Sequence, residues 1–316
     1  LIDKKGKRYS LRAVKKSATQ FLQKGAFVNT YLEDNFEDTF TEELLADFYT
    51  ASHPYVTFAI GPLADAIDIY HTNPKLYYIP KHGALGKYNN EYGDELYVLE
   101  ERPGKEFIDV ESFGKPDDIE STDDMLTNLR KDEEYKIDQK NYIRARLFDM
   151  LIGDWDRHTD QWRWARFDKD KERIYRPIPR DRDQAFCNYD GALTNFIKFI
   201  IPTTRKFEVY DEDLNNVRWI NESGIKLDRA LVSEADEKMW VEQAEYIQKY
   251  MTDDKIKYAF DQLPKEVRDS VALNIEENLK LRRSSLKDIA SRYYNYLARH
   301  IVVTGTDKDD FFEITR

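Results

Sequence analysis

Apolar and polar positions alternate along "RYSLRAVKKS", a period of two that predicts a strand, and "DKKGKR" just before it reads as a hairpin turn whose first strand is almost missing. The near-absence of that strand makes the chain read as a fragment of something longer. "TEELLADFYTAS" predicts a short helix with Thr41 as N-cap. "KLYYIP" and "DELYVLEERPG" predict strands, the second stopped by Pro103-Gly104. From "STDDMLTNLRKD" onward the period lengthens to that of a helix, and Tyr142, Ala145, Leu147, Phe148, Met150 and Leu151 supply an apolar face ending at Gly153. "KERIYRPIPRDRDQAF" predicts a further strand that breaks at Pro179, and four helices are expected from near Ser233, Thr252, Pro264 and Ser285. The order predicts an α+β chain of two closely joined lobes, strand-rich over residues 1–105 and mainly helical over 106–316.

The 316 residues, 41% of them hydrophobic, suffice for a sizeable core. With 49 basic against 60 acidic residues the net charge is −11, which argues against a broad polyanion-binding face and a nucleic-acid partner, while leaving room for a local basic pocket. No apolar run approaches the length of a membrane span, and the first ten residues lack the apolar core of a signal peptide. A single cysteine, Cys187, excludes an internal disulfide and a cysteine-built zinc site. The compartment stays open.

Candidate chemistry gathers in "LIGDWDRHTDQWRW", residues 151–164. Asp154, Asp156 and Asp160 follow a helix end, and some 25 residues later "RDRDQAF" puts Asp181 and Asp183 at the end of a strand. Carboxylates from two loops suit a hard divalent cation that keeps phosphate oxygens as partners. Trp155, Trp162 and Trp164 read as packing that fixes the loop. His53, His71 and His82 stand apart from one another in the sequence and suggest no metal cluster.

"LFDMLIGDWDRHTDQW" followed by "IPRDRDQAF" resembles the catalytic and metal-binding loops of atypical kinases of the HipA type, and also those of the CotH-type spore-coat kinases and the phosphoinositide 3-kinases. The resemblance implies a two-lobed protein-kinase-like fold that uses ATP with Mg2+ or Mn2+. It makes Asp156 the catalytic Asp, His158 a supporting residue of its loop, and Gln161 and Asp181 metal ligands, with Asp183 a further oxygen donor beside them. Gln161 departs from the pattern, where Asn is usual. A kinase-like first lobe also needs a strand lysine, met by Lys15, which shares a strand face with Ala13, or by Lys16, which shares the other with Arg12. Glu43 or Asp47 would hold that lysine, and Glu100 and Glu101 would lie in a hinge, meeting adenine through their backbone. No Gly-rich phosphate loop precedes the first strand and no GxxxxGK[ST] occurs anywhere; "KKSATQFLQKGAFVNT" is a place where such a loop could lie.

Two classes of function are therefore expected. One is an ATP- and metal-dependent phosphotransferase with an unknown hydroxyl acceptor. The other is a catalytically inactive kinase-like module that binds a nucleotide or a partner inside a larger, bacterial surface protein flanked by other domains. "GDWDRH" also approaches the GDxxDRG signature of metallophosphoesterases, but the second Asp comes one residue early, the GNH and GHxH elements are missing and no Asp-x-His occurs apart from Asp156–His158 within this motif, so any such activity would reside in another domain.

Overall fold

The computed structural model describes residues 1–14, 51–191, 195, 198–300, 302–311 and 313. Lys15, Lys16, Glu43, Asp47, the expected helix after Thr41 and the candidate loop "KKSATQFLQKGAFVNT" lie outside the described residues.

The expected strands form a three-stranded antiparallel sheet, β1 (Tyr9–Ala13), β2 (Lys75–Ile79) and β3 (Glu95–Glu101), in the order β1-β3-β2. β3 is central, with Arg12 opposite Val98 and Ser10 opposite Glu100. Between β1 and β2 lies helix α1 (Thr57–Asp65), whose Ala59, Ile60, Leu63 and Ala64 are buried. Though it falls before residue 105 in the chain, α1 packs in the larger core of the second half, together with Tyr142, Phe148 and Ile256.

That second half is mainly helical, and its strands go beyond the one expected at "KERIYRPIPRDRDQAF". It carries a four-stranded sheet, β4 (Asp118–Ser121), β5 (Tyr135–Ile137), β6 (Trp162–Lys169) and β7 (Glu172–Pro179), in the order β4-β6-β7-β5. β4 and β5 span only four and three residues, too short for a period of two to show against charged neighbours. β6 and β7 form a hairpin turning at Asp170, which adopts a left-handed φ of 54°. The bond from Arg180 N to Gln161 O, 2.9 Å, begins the ladder alternation. By that alternation Pro177 and Pro179 fall where a backbone N–H would point away from β6, and β5 pairs no further than Tyr175, so the missing donors cost no ladder bond. Trp162 and Trp164 are fully buried, stacked with centroids 6.1 Å apart and both against Tyr142; they are packing, as the sequence suggested.

Helix α2 (Thr122–Lys131) is capped by Ser121, and α3 (Gln139–Ile152) by Asp138, whose carboxylate accepts from Asn141 N. α3 is buried on every side from Asn141 to Ile152, rather than along the single face its apolar positions suggested. It ends in a Schellman turn: Gly153 N donates to Met150 O and Asp154 N to Asp149 O at 2.8 Å, with Gly153 at φ 74°. A Cβ there would stand 3.0 Å from the Tyr210 ring, so both the conformation and the space require glycine.

Around α3 pack α4 (Ile225–Leu231), α5 (Glu237–Tyr250), α6 (Asp253–Phe260), α7 (Ser270–Ser284) and α8 (Leu286–Leu297). Thr252 caps α6 and α8 begins beside Ser285, as expected, but the other two starts differ. The helix expected near Ser233 begins after Asp236, whose carboxylate accepts from Met239 N. Pro264 opens only a short 3-10 turn; the long helix waits for Asp269, which accepts from Val271 N and Ala272 N at 3.0 Å each. In both places an Asp able to take the free N–H groups outcompetes the nearer helix-start signal.

Because α3 has no solvent face, its polar residues need internal partners. Arg146 Nε meets Asp228 Oδ1 at 2.8 Å and its Nη1 meets Asp149 Oδ2 at 2.9 Å, all of them fully buried. Asp228 also accepts from Tyr142 Oη at 2.6 Å and from Tyr293 Oη, tying α3, α4 and α8 together. Asp228→Ala leaves the Arg146 charge and two phenols without this acceptor, and the expected loss is about 3–5 kcal/mol of stability, read as a lowered urea midpoint. A loss below about 1 kcal/mol would show that Asp149 and Asn221 alone satisfy Arg146.

Candidate functional site

The end of β7 carries the loop Arg180–Asp183 into a cleft between the three-stranded sheet and the larger core. Arg12, Val14 and Val98 from the sheet line it, with Thr57 and Ile60 of α1, His71, Thr72, Glu100, Asp181, Arg182 and Asp183. The cleft encloses about 850 Å³ of empty space open to solvent. Its walls combine aliphatic side chains with a few convergent charges, the usual make-up of a small-molecule site.

Asp181 and Asp183 both face this cleft, where the sequence placed two oxygen donors. Asp181 has a left-handed φ of 51°, a conformation Asp tolerates better than most residues, and the turn this makes follows directly on Pro179. Its carboxylate is ion-paired with Arg12, whose other terminal nitrogen meets Glu100 Oε2 at 2.9 Å. Glu100 also accepts from the Thr72 hydroxyl, and burial raises its pKa despite the opposing effects of Arg12 and Thr72. The side chains of the two acids expected in a hinge are both engaged: Glu100 stands in the cleft wall, and Glu101 Oε2 accepts from Asn73 N at 2.7 Å. The Glu100 backbone is opposite Ser10 in the ladder with β1.

Asp156, His158 and Gln161 are not among the residues lining the cleft; they lie on the adjoining loop between α3 and β6. Arg157 joins the two loops. Its fully buried Nη2 donates to Arg180 O and Asp181 O, both at 2.9 Å, and meets Asp154 Oδ2 at 2.9 Å. Arg163 pairs with Asp160 instead, so among the described residues neither arginine of this loop holds the Asp156 carboxylate. Asp156 N donates to Asp154 Oδ1 at 3.3 Å, and its half-buried carboxylate stands 3.9 Å from His158 Nε2. His158 Nδ1 in turn accepts from Asp160 N, which supports the turn. The Gln161 carbonyl takes the Arg180 N–H, fixing where β6 meets the second loop.

Sequence reasoning missed Arg12, Arg157 and His71. Strand parity had set Arg12 on the same face as Lys16, a signal that could have found it. His71 is buried with Nε2 2.9 Å from Asp65 and Nδ1 3.0 Å from Thr72 O, and Gly61 makes room for the ring, since a Cβ there would lie 3.1 Å from Nδ1. His71 and His53 both line the cleft although they lie far apart in the sequence.

Beneath the loops, Asp149 Oδ1 pairs with Arg182 at 2.9 Å, and Asp154 is buried near Arg157, Arg182, Asp149 and Asp183. Burial pushes the Asp154 carboxyl up to about 7, against the pull of Arg157. A carboxyl whose folded pKa is raised binds more protons folded than unfolded, so stability falls as pH rises from about 4 to about 7 and is flat above. Glu208, pushed to about 7 chiefly by burial, acts in the same direction. Asp154→Asn should therefore reduce, without abolishing, the drop in urea midpoint between pH 5 and pH 7.5; an unchanged drop would assign it all to Glu208 and other groups.

No protein-family profile matches the chain, and comparison with the curated proteins gave no match. Among solved structures, the chain is similar to the Helicobacter pylori proinflammatory kinase CtkA, at 13% identity and a TM-score of 0.40, over 94% of each chain. It is also similar to a Shewanella oneidensis MR-1 structure of the toxin–antitoxin system HipA, HipB with its operator DNA, at 11% identity and a TM-score of 0.37, covering 78% of this chain and 57% of that one. The functional reading stands on the geometry of the cleft.

Proposed function

We propose that the chain is a phosphotransferase of atypical kinase type that uses ATP and a divalent cation to phosphorylate a hydroxyl acceptor. The observation that carries this reading is the meeting, in one cleft, of Asp181 and Asp183 from the β7 loop with Arg12 and Glu100 from the sheet, while Arg157 bonds the Asp156 loop to the backbone of Asp181.

The residues fit a magnesium-class ion. Among the described residues no three His, Cys, Asp or Glu side chains gather as a metal cage. Mg2+ rarely needs one: it takes one or two carboxylates, keeps waters and shares phosphate oxygens. Asp181 and Asp183 would hold it, with the Gln161 amide oxygen a third donor from the adjoining loop before β6. When bound, the ion offsets charge on the β- and γ-phosphates. The apolar wall of Val14, Ile60 and Val98 suits a nucleobase ring. Asp156, free of arginine among the described residues, orients the acceptor hydroxyl and takes its proton, and His158 holds the turn in which it sits. Lys15 or Lys16, with Glu43, would complete the phosphate contacts from the segment that follows β1.

A catalytically inactive nucleotide- or partner-binding module is the second reading. It is favoured by the Arg12 ion pair on Asp181 and by Gln161 in place of Asn.

Millimolar ATP with Mg2+ or Mn2+ should raise the melting temperature, because it binds the folded state alone. Asp181→Asn, which tolerates the left-handed φ, should remove the metal-dependent part of the rise. No shift with wild type would sink the nucleotide reading. Asp156→Asn should lower label transfer from ATP to protein or small-molecule acceptors by about 100-fold or more while leaving the nucleotide-induced shift in place. Equal transfer by both proteins would remove Asp156 from the chemistry.

A further inference from the structure

Arg12 holds two carboxylates at once, Asp181 with Nη1 and Glu100 with Nη2, and its side chain is still 39% exposed, against 31% for Asp181 and 13% for Glu100. Arg182, the other cation among the described lining residues, is committed to Asp149 in the buried network beneath. Arg12 is therefore the described guanidinium that a ligand in the cleft can reach. It is always charged and its planar fork matches phosphate oxygens as well as carboxylate. Arg12 takes Asp181 Oδ1, and its positive charge repels a divalent cation at that carboxylate.

We propose that Arg12 is a latch: at rest it occupies Asp181 and excludes a divalent cation, and an incoming nucleoside polyphosphate draws it away, so that metal and nucleotide load together. This rests on the nucleotide reading above and adds to it an order of events. Glu100 keeps one hand of the guanidinium in place, so the release is a swing of the other hand from Asp181 to a phosphate oxygen and not an expulsion of the side chain. Binding linkage makes the coupling mutual: polyphosphate strengthens metal binding by the same factor that metal strengthens polyphosphate binding. The latch also keeps the acidic loop neutralised when the cleft holds no nucleotide.

The test measures Mn2+ affinity by the paramagnetic signal of the free ion, with Mn2+ alone and with ATP added, for wild type, Arg12→Gln and Asp181→Asn. Melting curves confirm folding. Wild type should bind Mn2+ weakly alone and much more tightly with ATP. Arg12→Gln should bind Mn2+ alone at least about tenfold more tightly than wild type, a shift equal to about 1.4 kcal/mol, and gain little from ATP; Asp181→Asn should lose the tight site in both conditions. If Arg12→Gln does not fold, Arg12→Lys carries the comparison, since a single ammonium cannot span both carboxylates with a planar fork. An Arg12 variant whose affinity for Mn2+ alone equals or falls below that of wild type overturns the latch, even where Mn2+ and ATP bind wild type together and the nucleotide reading stands. Failure of Mn2+ to bind wild type with or without ATP overturns both.

Discussion

The Asp149 carboxylate, fully buried near the end of α3, is the point on which the arrangement of this protein turns. One oxygen pairs with Arg146, which is held by Asp228 and so by α4 and α8; the other pairs with Arg182 of the β7 loop. A charge taken out of water must be matched or it costs several kcal/mol, so the helical core and the cleft loop cannot move independently. Four residues on, Gly153 closes α3 and Asp154 starts the loop that Arg157 stitches to Asp181. Position in the core is thus converted into position in the cleft through bonds that tolerate little slack.

The two loops are built differently for a physical reason. Asp181 and Asp183 project from the end of a strand into solvent-accessible space, where oxygen donors can meet a ligand. Asp149 and Asp154 are spent inside, holding arginines. Four acids close in sequence to the same motif therefore divide into pairs that support and pairs that face the cleft, and burial makes the division.

Much of this was legible. Strands at "RYSLRA", "KLYYI" and "ELYVLEE" were legible from their apolar and aromatic runs between turn signals, although only Tyr97 among them is buried, and α3 shows its end because Gly153 is needed at a left-handed φ. The acidic loops stood out because Asp156 and Asp181 sit just beyond regular elements, where side chains are free to converge. The sheet of β4 and β5 did not, since strands of three or four residues carry too little pattern. The starts at Asp236 and Asp269 were misplaced because Ser233 and Pro264 offer similar signals in sequence, and only the direction of the free N–H groups selects between them.

What the sequence determined by itself is local: where the chain runs as strand or helix, where it must stop, and which residues carry chemistry. Tertiary structure decided pairing. It set Arg12 against Asp181 across 169 positions of chain, gave Arg157 to Asp154 and the Asp181 carbonyl, and brought His71 and Glu100 into the same wall. Any of several nearby acids could have satisfied each arginine. The choice was made by burial and by the register of packed strands and helices, neither of which exists until the chain has folded.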